Sequence, residues 1–188
     1  IKNVLRMDPE ASMKKGDNPG PLVELTFWES RAANLNSIRA QISSGKISKV
    51  IRILELAENT YYHSFSRQIA EVSAAAQEAT EISRVLRPLR PYLEELSPSS
   101  GVRRDFPSLS SLFPKIMHLV FLVWKSCEYY RSPTRLVCLI REICNDTVEQ
   151  ARQFVDAGKL FDEEPEESTE KLEITLQVFF WGAPCFSS

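Results

Sequence analysis

Glycine is scarce in this sequence, with 6 residues in 188, about half the number that an average usage of about 7% would give. This scarcity disfavours glycine-rich architectures. The chain also lacks an excess of charge of one sign, because 23 Lys and Arg residues are balanced by 25 Asp and Glu residues, for a net charge of −2. It therefore has no chain-wide basic field to hold nucleic acid or an anionic membrane, and we expect any partner to be a protein.

Residues suited to metal binding or nucleophilic catalysis are few. The chain has two histidines, His63 and His118, and four cysteines that crowd the C-terminal third: Cys127, Cys138, Cys144 and Cys185. A zinc site needs four ligands at turn-compatible spacings and no CxxC pair is present, so we expect buried, reduced thiols in an intracellular helical protein. His118 lies within an apolar run, where we expect a buried or half-buried ring. A cysteine nucleophile beside a histidine is the alternative that the sequence leaves open.

No hydrophobic run is long enough for a transmembrane helix, which needs about 20 apolar residues. The most apolar stretch, from Leu112 to Tyr130, is interrupted by Lys125 and Glu128. Its pattern predicts a central helix that is buried on most sides.

Apolar residues recur at helical spacing between the glycines and prolines. A first helix, ending near Gly45, carries one stripe formed by Leu25, Trp28, Ala32, Leu35 and Ile42. From Lys46 to about Arg87 neither glycine nor proline occurs, and the same spacing predicts a helix roughly 60 Å long if unbroken. Pro88 and Pro91 then kink or end it. The sequence therefore predicts an all-α fold, an elongated helical bundle with one long central helix and coiled-coil-like packing.

Further helices are predicted on either side of an acidic linker at residues 162–167. Ser132 and Pro133 are typical of a helix start, since the serine side chain can accept from open amides and proline sacrifices no hydrogen bond there. One stripe follows, formed by Leu136, Ile140, Ile143, Thr147, Ala151 and Phe154. Beyond the linker, Ser168 is a candidate cap for a last helix that carries Leu172, Leu176 and Phe179.

Two short motifs resemble functional signatures, but we favour a structural interpretation of each. Gly45 and Lys46 suggest a phosphate-binding loop, yet Ala40 replaces the first glycine and Ile47 replaces the hydroxyl residue that would hold Mg²⁺. We therefore expect a helix break there. The triplet Asn145-Asp146-Thr147 matches an N-glycosylation site, but it lies within a predicted helix and is expected to be accidental.

Two side-chain clusters are candidate contact surfaces. Arg84, Arg87 and Arg90 share one helix face, which we expect to be solvated; the alternative is a dock for an acidic segment such as residues 162–167 of another copy. The pairs Tyr61-Tyr62 and Tyr129-Tyr130 are equally well interpreted as interface anchors or as rings that pack within the bundle. No catalytic, cofactor-binding or metal-ligating residue is predicted, and no cofactor.

Short motifs along the chain carry a resemblance to a known family. In chain order they are Gly20-Pro21-Leu22-Val23-Glu24-Leu25 with Phe27-Trp28 and Arg31, Leu54-Glu55-Leu56-Ala57 with Thr60-Tyr61-Tyr62 and Phe65, Leu89-Arg90-Pro91-Tyr92-Leu93, Asp105-Phe106, Trp124-Lys125, Tyr129-Tyr130, Ser132-Pro133-Thr134-Arg135-Leu136 and Ile143-Cys144-Asn145. Each is weak alone, but their order and spacing from about Ile1 to Leu176 make chance similarity improbable. The chain thus resembles the first N-terminal tail region of dynein heavy chains, particularly the axonemal ones.

The resemblance implies a mostly helical tail segment rather than a motor. Such tails join heavy chains to one another, carry intermediate and light chains, and anchor the motor to the doublet microtubule of a cilium, while ATP hydrolysis and microtubule binding reside elsewhere in the heavy chain. It therefore implies a non-catalytic scaffold in the cytoskeleton of the ciliary axoneme. Its implied partners are dynein heavy, intermediate and light chains, with doublet microtubules contacted only through the complex.

The expected domain organisation follows the extent of the resemblance. We predict an N-terminal linker at residues 1–21, a helical tail-like domain at 22–178 with a possible inner boundary at the loop 97–107, and a divergent apolar tail at 179–188. Because the resemblance ends near Val178, we expect a short isoform or a segment that lacks the motor. The alternative function is a general helical coiled-coil adaptor or oligomerisation protein outside the axoneme, and an enzyme built around His118 and Cys127 is a distant third.

Overall fold

The computed structural model describes residues 20–57, 60–97, 106–155 and 164–182, and within these ranges it contains helices and short connections but no strand. The helices are α1 (Pro21–Ile42), α2 (Gly45–Leu56), α3 (Thr60–Leu86), a 3-10 turn (Arg87–Leu89), α4 (Arg90–Leu96), α5 (Phe106–Ser126), α6 (Glu128–Arg131), α7 (Pro133–Phe154) and α8 (Pro165–Gly182). The predicted all-α class is confirmed. None of these helices combines the length and hydropathy needed to cross a membrane.

The long helix is confirmed, but it begins later than predicted. The stretch that starts near Lys46 is divided into α2, which ends at Leu56, and α3, which runs for 27 residues from Thr60. The sequence from the end of α2 to the start of α3 includes asparagine and threonine, residue types of lower helix propensity than alanine or leucine. Pro88 and Pro91 interrupt the C-terminal end of α3 as expected. Pro88 lies in the 3-10 turn that follows α3, and Pro91 lies in the first turn of α4.

The chain forms two compact units, and the first comprises the described residues of Val23–Val85. Within it α1 buries four of the five residues of the predicted stripe, Leu25, Trp28, Ala32 and Leu35, whereas Ile42 is half-buried. Helix α3 buries a second stripe, formed by Val72, Ala76, Ala79 and Ile82. The buried residues of α1 alternate at three, four and three positions, which is typical of coiled-coil packing. The Asn36 side-chain amide on α1 donates to the Thr80 hydroxyl on α3 at 2.8 Å, which joins the two helices.

The second unit comprises Gly20–Leu22 and the described residues from Leu86 onward. Helix α5 is central to it and contacts the 3-10 turn, α4, α6, α7 and α8. One face of α5 is buried, through Leu112, Phe113, Ile116, Val120 and Val123. The expectation that this helix is buried on most sides is wrong, because Phe121, Leu122 and Trp124 are exposed. Apolar residues occupy two faces of α5, and helices cover one of them.

Helix α7 begins at Pro133 as predicted, but its capping differs. The Ser132 side chain makes no capping hydrogen bond; instead its carbonyl oxygen accepts from the backbone amides of Arg135 and Leu136, both at 3.1 Å. The buried stripe includes Ile143, Thr147 and Ala151 as predicted and also Leu139. The other predicted residues are half-buried: Leu136, Ile140 and Phe154. Helix α8 begins at Pro165, three residues before the candidate cap Ser168.

Candidate interaction surface

Helix α2 of the first unit contains no buried residue. Its largest exposed side chains are apolar and recur every third residue: Val50 is 55% exposed, Ile53 64% and Leu56 76%. At 100° per residue, this spacing places the three side chains in a row that runs obliquely along one side of the helix. A contiguous exposed apolar row is typical of a contact surface rather than of an ordinary solvated helix.

A row of cations lies beside the apolar row. Lys46, Lys49 and Arg52 each precede one of the apolar residues by four positions, which is about one helical turn, and all three are exposed. None of them forms an ion pair with another residue that the structure describes. We call this surface the α2 face; it consists of Lys46, Lys49, Val50, Arg52, Ile53 and Leu56.

The acidic residue of α2 is already engaged. The Tyr62 hydroxyl on α3 donates to Oε1 of Glu55 at 3.0 Å, and this bond to a carboxylate raises the pKa of Tyr62 above its ordinary value. The contact links the end of α2 to the start of α3. With three cations and one carboxylate, α2 keeps a net positive charge.

The second unit has an exposed aromatic surface on α5. Phe121 is 51% exposed and Trp124 42% exposed, and their ring centroids lie 5.6 Å apart at a tilt of 42°. His118 lies on the same side of the helix and is exposed, so the expectation of a buried or half-buried ring is wrong. Tryptophan is enriched among the residues that dominate interface energetics, which makes Trp124 a second candidate contact residue.

Helix α7 buries two carboxylic acids, Glu142 and Asp146. The sequence pattern did not predict that either acid is buried. Nε of Arg141 lies 3.3 Å from Oε1 of Glu142, whereas the buried Oε2 has no hydrogen-bond partner among the described residues. Burial, and secondarily the charge of Glu142, raises the pKa of Asp146 to about 6. The sequence signal was the four-residue spacing of these acids beside the apolar residues of the α7 stripe.

Gly20, just before α1, lies against Asp146. Its φ of +74° is in the left-handed region that favours glycine. A Cβ at this position would lie 3.5 Å from both carboxylate oxygens of Asp146. The start of α1 therefore follows a backbone conformation that a side chain would strain.

The cysteines and histidines do not assemble into a metal site where the structure describes them, since no group of three potential ligands occurs there. Cys127 is buried as expected, whereas Cys138 and Cys144 are only half-buried; each of the three is a reduced thiol. Cys185 lies outside the described residues. His63 is exposed beside Tyr62, with ring centroids 5.7 Å apart.

The structure places both short motifs, Gly45-Lys46 and Asn145-Asp146-Thr147, in helices. Gly45 is the first residue of α2, so the helix break is confirmed. In the glycosylation triplet, Thr147 is buried and its hydroxyl donates to the carbonyl oxygen of Ile143 at 2.8 Å, which leaves no exposed acceptor sequence.

Arg84 and Arg87 are exposed as expected, whereas Arg90 is half-buried. Arg84 pairs with Glu81 at 2.6 Å and Arg90 pairs with Glu94 at 3.2 Å, each within its own helix. Of the acidic segment that would dock on these arginines, residues 164–167 are exposed, and 162–163 lie outside the described residues.

The two tyrosine pairs differ from each other. Tyr130 is buried, and its ring meets that of Tyr129 edge to face with centroids 5.0 Å apart. The guanidinium of Arg135 lies over the Tyr129 ring, 5.3 Å from its centroid. This pair therefore packs within its unit. Tyr61, by contrast, is exposed at the start of α3 and remains a candidate interface residue.

Comparison with known proteins identifies the family. The family model described as "Dynein heavy chain, N-terminal region 1" matches residues 1–180. The dynein beta chain of the flagellar outer arm of Chlamydomonas reinhardtii is 49% identical over 178 residues. The ciliary dynein beta chain of Tripneustes gratilla is 35% identical over 178 residues, and human dynein axonemal heavy chain 9 is 33% identical over 182 residues.

These matches cover almost all of this chain but little of each relative. They include 94% of the chain for the Chlamydomonas protein and 95% for the other two, whereas the chain spans 4% of the length of each of the three. The match to the family model extends over the range in which the ordered motifs occur, and it confirms the resemblance that they predict. The chain therefore belongs to the dynein heavy chain family, within its N-terminal region 1.

Proposed function

We propose that this chain is a non-catalytic tail segment of an axonemal dynein heavy chain, and that it serves as a scaffold in the dynein complex of a cilium or flagellum. The observation that carries the proposal is the 49% identity, over 94% of the chain, to a flagellar outer-arm heavy chain. Relatives named as ciliary and axonemal heavy chains support the same assignment. The location we propose is accordingly the axoneme.

The arrangement of the helices suits a scaffold. Each compact unit has its own buried stripes, and each exposes apolar side chains on a helix face: Val50, Ile53 and Leu56 in the first, and Phe121 and Trp124 in the second. Exposed aromatic and aliphatic residues on rigid helices supply the anchors of protein interfaces. The proposed partners are other heavy chains, intermediate chains and light chains, with doublet microtubules reached through the complex.

A binding experiment tests this function. The purified chain, carrying an affinity tag, is incubated with dynein subunits extracted from cilia, and the retained proteins are identified by mass spectrometry. We expect heavy, intermediate or light chains to be retained, and we expect the purified chain to show no microtubule-stimulated ATPase. Consistent absence of dynein subunits would count against the scaffold, and measurable stimulated ATPase would contradict its non-catalytic character.

The same preparation distinguishes the main alternative. A helical adaptor outside the axoneme would form a concentration-dependent homo-oligomer, detectable by light scattering, without retaining dynein subunits. The names of the relatives favour the axonemal assignment. The adaptor alternative would require a concentration-dependent homo-oligomer and also the absence of retained dynein subunits.

A further inference from the structure

We propose that the α2 face binds an acidic amphipathic helix of another protein. This proposal deepens the scaffold function by specifying the chemistry of a partner, but it is argued from α2 alone and its test requires no dynein subunit. The starting observation is that α2 buries none of its residues, although half of them are aliphatic at Ile47, Val50, Ile51, Ile53, Leu54 and Leu56.

The geometry of the α2 face specifies a helix as the partner. Residues spaced three apart form a ridge on a helix, and such ridges fit the grooves between side chains of a second helix. The row of Val50, Ile53 and Leu56 is a ridge of this kind, exposed along its whole length. An amphipathic helix that lays its own apolar residues against this ridge would bury the most exposed aliphatic side chains of the unit.

The charge of the α2 face specifies acidic residues on the partner. Lys46, Lys49 and Arg52 run parallel to the ridge, one turn away from it. Their long side chains can lie along the apolar contact while their charged ends reach past it. Helix α2 carries these three cations and one carboxylate, Glu55, so acidic residues on the partner would complement its net positive charge. Complementary charges beside an apolar contact fix the register and orientation of the bound helix.

Two other occupants fit less well. A second copy that paired through its own α2 face would place cations opposite cations, because a two-fold interface brings the same surface together. A membrane-surface helix typically inserts aromatic residues together with leucine, whereas the α2 ridge contains no aromatic residue and the chain carries a net charge of −2. The α2 face therefore favours a protein helix.

The test uses the full chain and a synthetic probe. The probe is an N-acetylated peptide of about 18 residues, long enough for measurable helicity, with leucines at helical spacing and a glutamate one turn from each. Its control has the same composition in an order that destroys the apolar stripe. Binding is measured by isothermal titration calorimetry at low and high salt. We expect saturable binding of the probe alone, with roughly tenfold weaker affinity at high salt.

Two variants assign the binding to the α2 face. We expect Lys46→Glu/Lys49→Glu/Arg52→Glu to weaken the affinity by tenfold or more, on the order seen for lost complementary charges. We expect a similar loss for Val50→Ala/Ile53→Ala/Leu56→Ala, which retains helix propensity. The matched control, Arg39→Glu/Lys115→Glu/Arg152→Glu, makes the same change in net charge at exposed positions and should bind like the parent chain. Circular dichroism confirms that each variant retains its helix content.

Four results would overturn the proposal. They are equal binding of the probe and its reordered control, equal loss in the charge-control variant, α2-dependent binding to vesicles rich in phosphatidylserine, and self-association of the chain that the α2 variants abolish. The last two would assign the surface to a membrane or to a second copy. None of them bears on whether the chain retains dynein subunits, so failure here and failure of the scaffold function are distinguishable.

Discussion

Asp146 is a buried carboxylic acid that lies one helical turn from a second one, Glu142. Its raised pKa of about 6 means that the folded chain favours the protonated form, because burial and a neighbouring negative charge both oppose ionisation. The unfolded chain, where the pKa is near 3.8, releases this proton at lower pH. The contribution of Asp146 to stability is therefore fully present below about pH 4, is lost as pH rises to about 6, and stays lost at neutral pH.

We expect Asp146→Asn to remove this pH dependence. Asparagine has nearly the same shape and carries no charge, so at pH 7 the variant should be more stable than the parent chain, by up to about 3 kcal/mol for a shift of this size. Urea unfolding at intervals from pH 4 to pH 7.5 measures the effect. Glu149→Gln, at an exposed position of the same helix, is the control and should follow the parent chain. An Asp146→Asn variant that is less stable at pH 7 would contradict the account.

Gly20 and Gly45 offer a matched test of backbone conformation. Gly20 has a φ of +74°, so Gly20→Ala should destabilise the chain by about 1 to 2 kcal/mol, the cost of the left-handed region for a residue with a Cβ. A Cβ at Gly45 would meet no atom within 4 Å, so Gly45→Ala should be neutral or stabilising by up to about 1 kcal/mol. The unfolding free energies of both variants provide the comparison, and equal effects would contradict it.

At the scale of the element, α1 and α2 differ in what they bury, although both carry apolar residues at helical spacing. Leu35 on α1 is fully buried, whereas Ile53 on α2 is 64% exposed. Hydrophobic spacing predicts where a helix forms and which face is apolar, but it does not reveal whether another element covers that face. An exposed apolar helix therefore has the same sequence pattern as a buried one.

Alanine substitution of Leu35 and Ile53 tests which of the two side chains packs in a core. We expect Leu35→Ala to cost about 2 to 5 kcal/mol, the usual range for a leucine removed from a packed core. Ile53→Ala should change the free energy of unfolding by less than about 0.5 kcal/mol, as is usual for surface positions. Chemical denaturation of the two variants measures both values. A cost for Ile53→Ala comparable to that for Leu35→Ala would show that the α2 face packs within this chain.

Several elements were predictable from the sequence, and the reasons for the failures are physical. The α1 stripe and the start of α7 follow from local spacing and from Pro133. The division between α2 and α3 was missed because neither glycine nor proline marks it. The exposed face of α5 and the buried acid Glu142 were missed because both depend on which helices pack nearby, which local spacing does not encode.

At the scale of the whole molecule, family membership and surface chemistry both support the proposed scaffold function. The chain belongs to the N-terminal region 1 of dynein heavy chains, and its described surface offers exposed apolar helix faces. The candidate contact residues are absent from the motifs that carried the family resemblance, apart from Leu56, Tyr61 and Trp124. The order of the motifs along the chain thus identified the family, whereas the exposure of side chains in the structure identified the candidate contact surfaces.

The most direct test of the central claim is to locate this chain in isolated axonemes. Dynein is extracted with salt from cilia or flagella of cells that express it, treated with an amine-reactive cross-linker, separated by sedimentation and analysed by mass spectrometry. Peptides of this chain should sediment with dynein intermediate and light chains, and cross-links from Lys46 or Lys49 should join it to another dynein subunit. Sedimentation apart from every dynein subunit, with no such cross-link, would contradict the account.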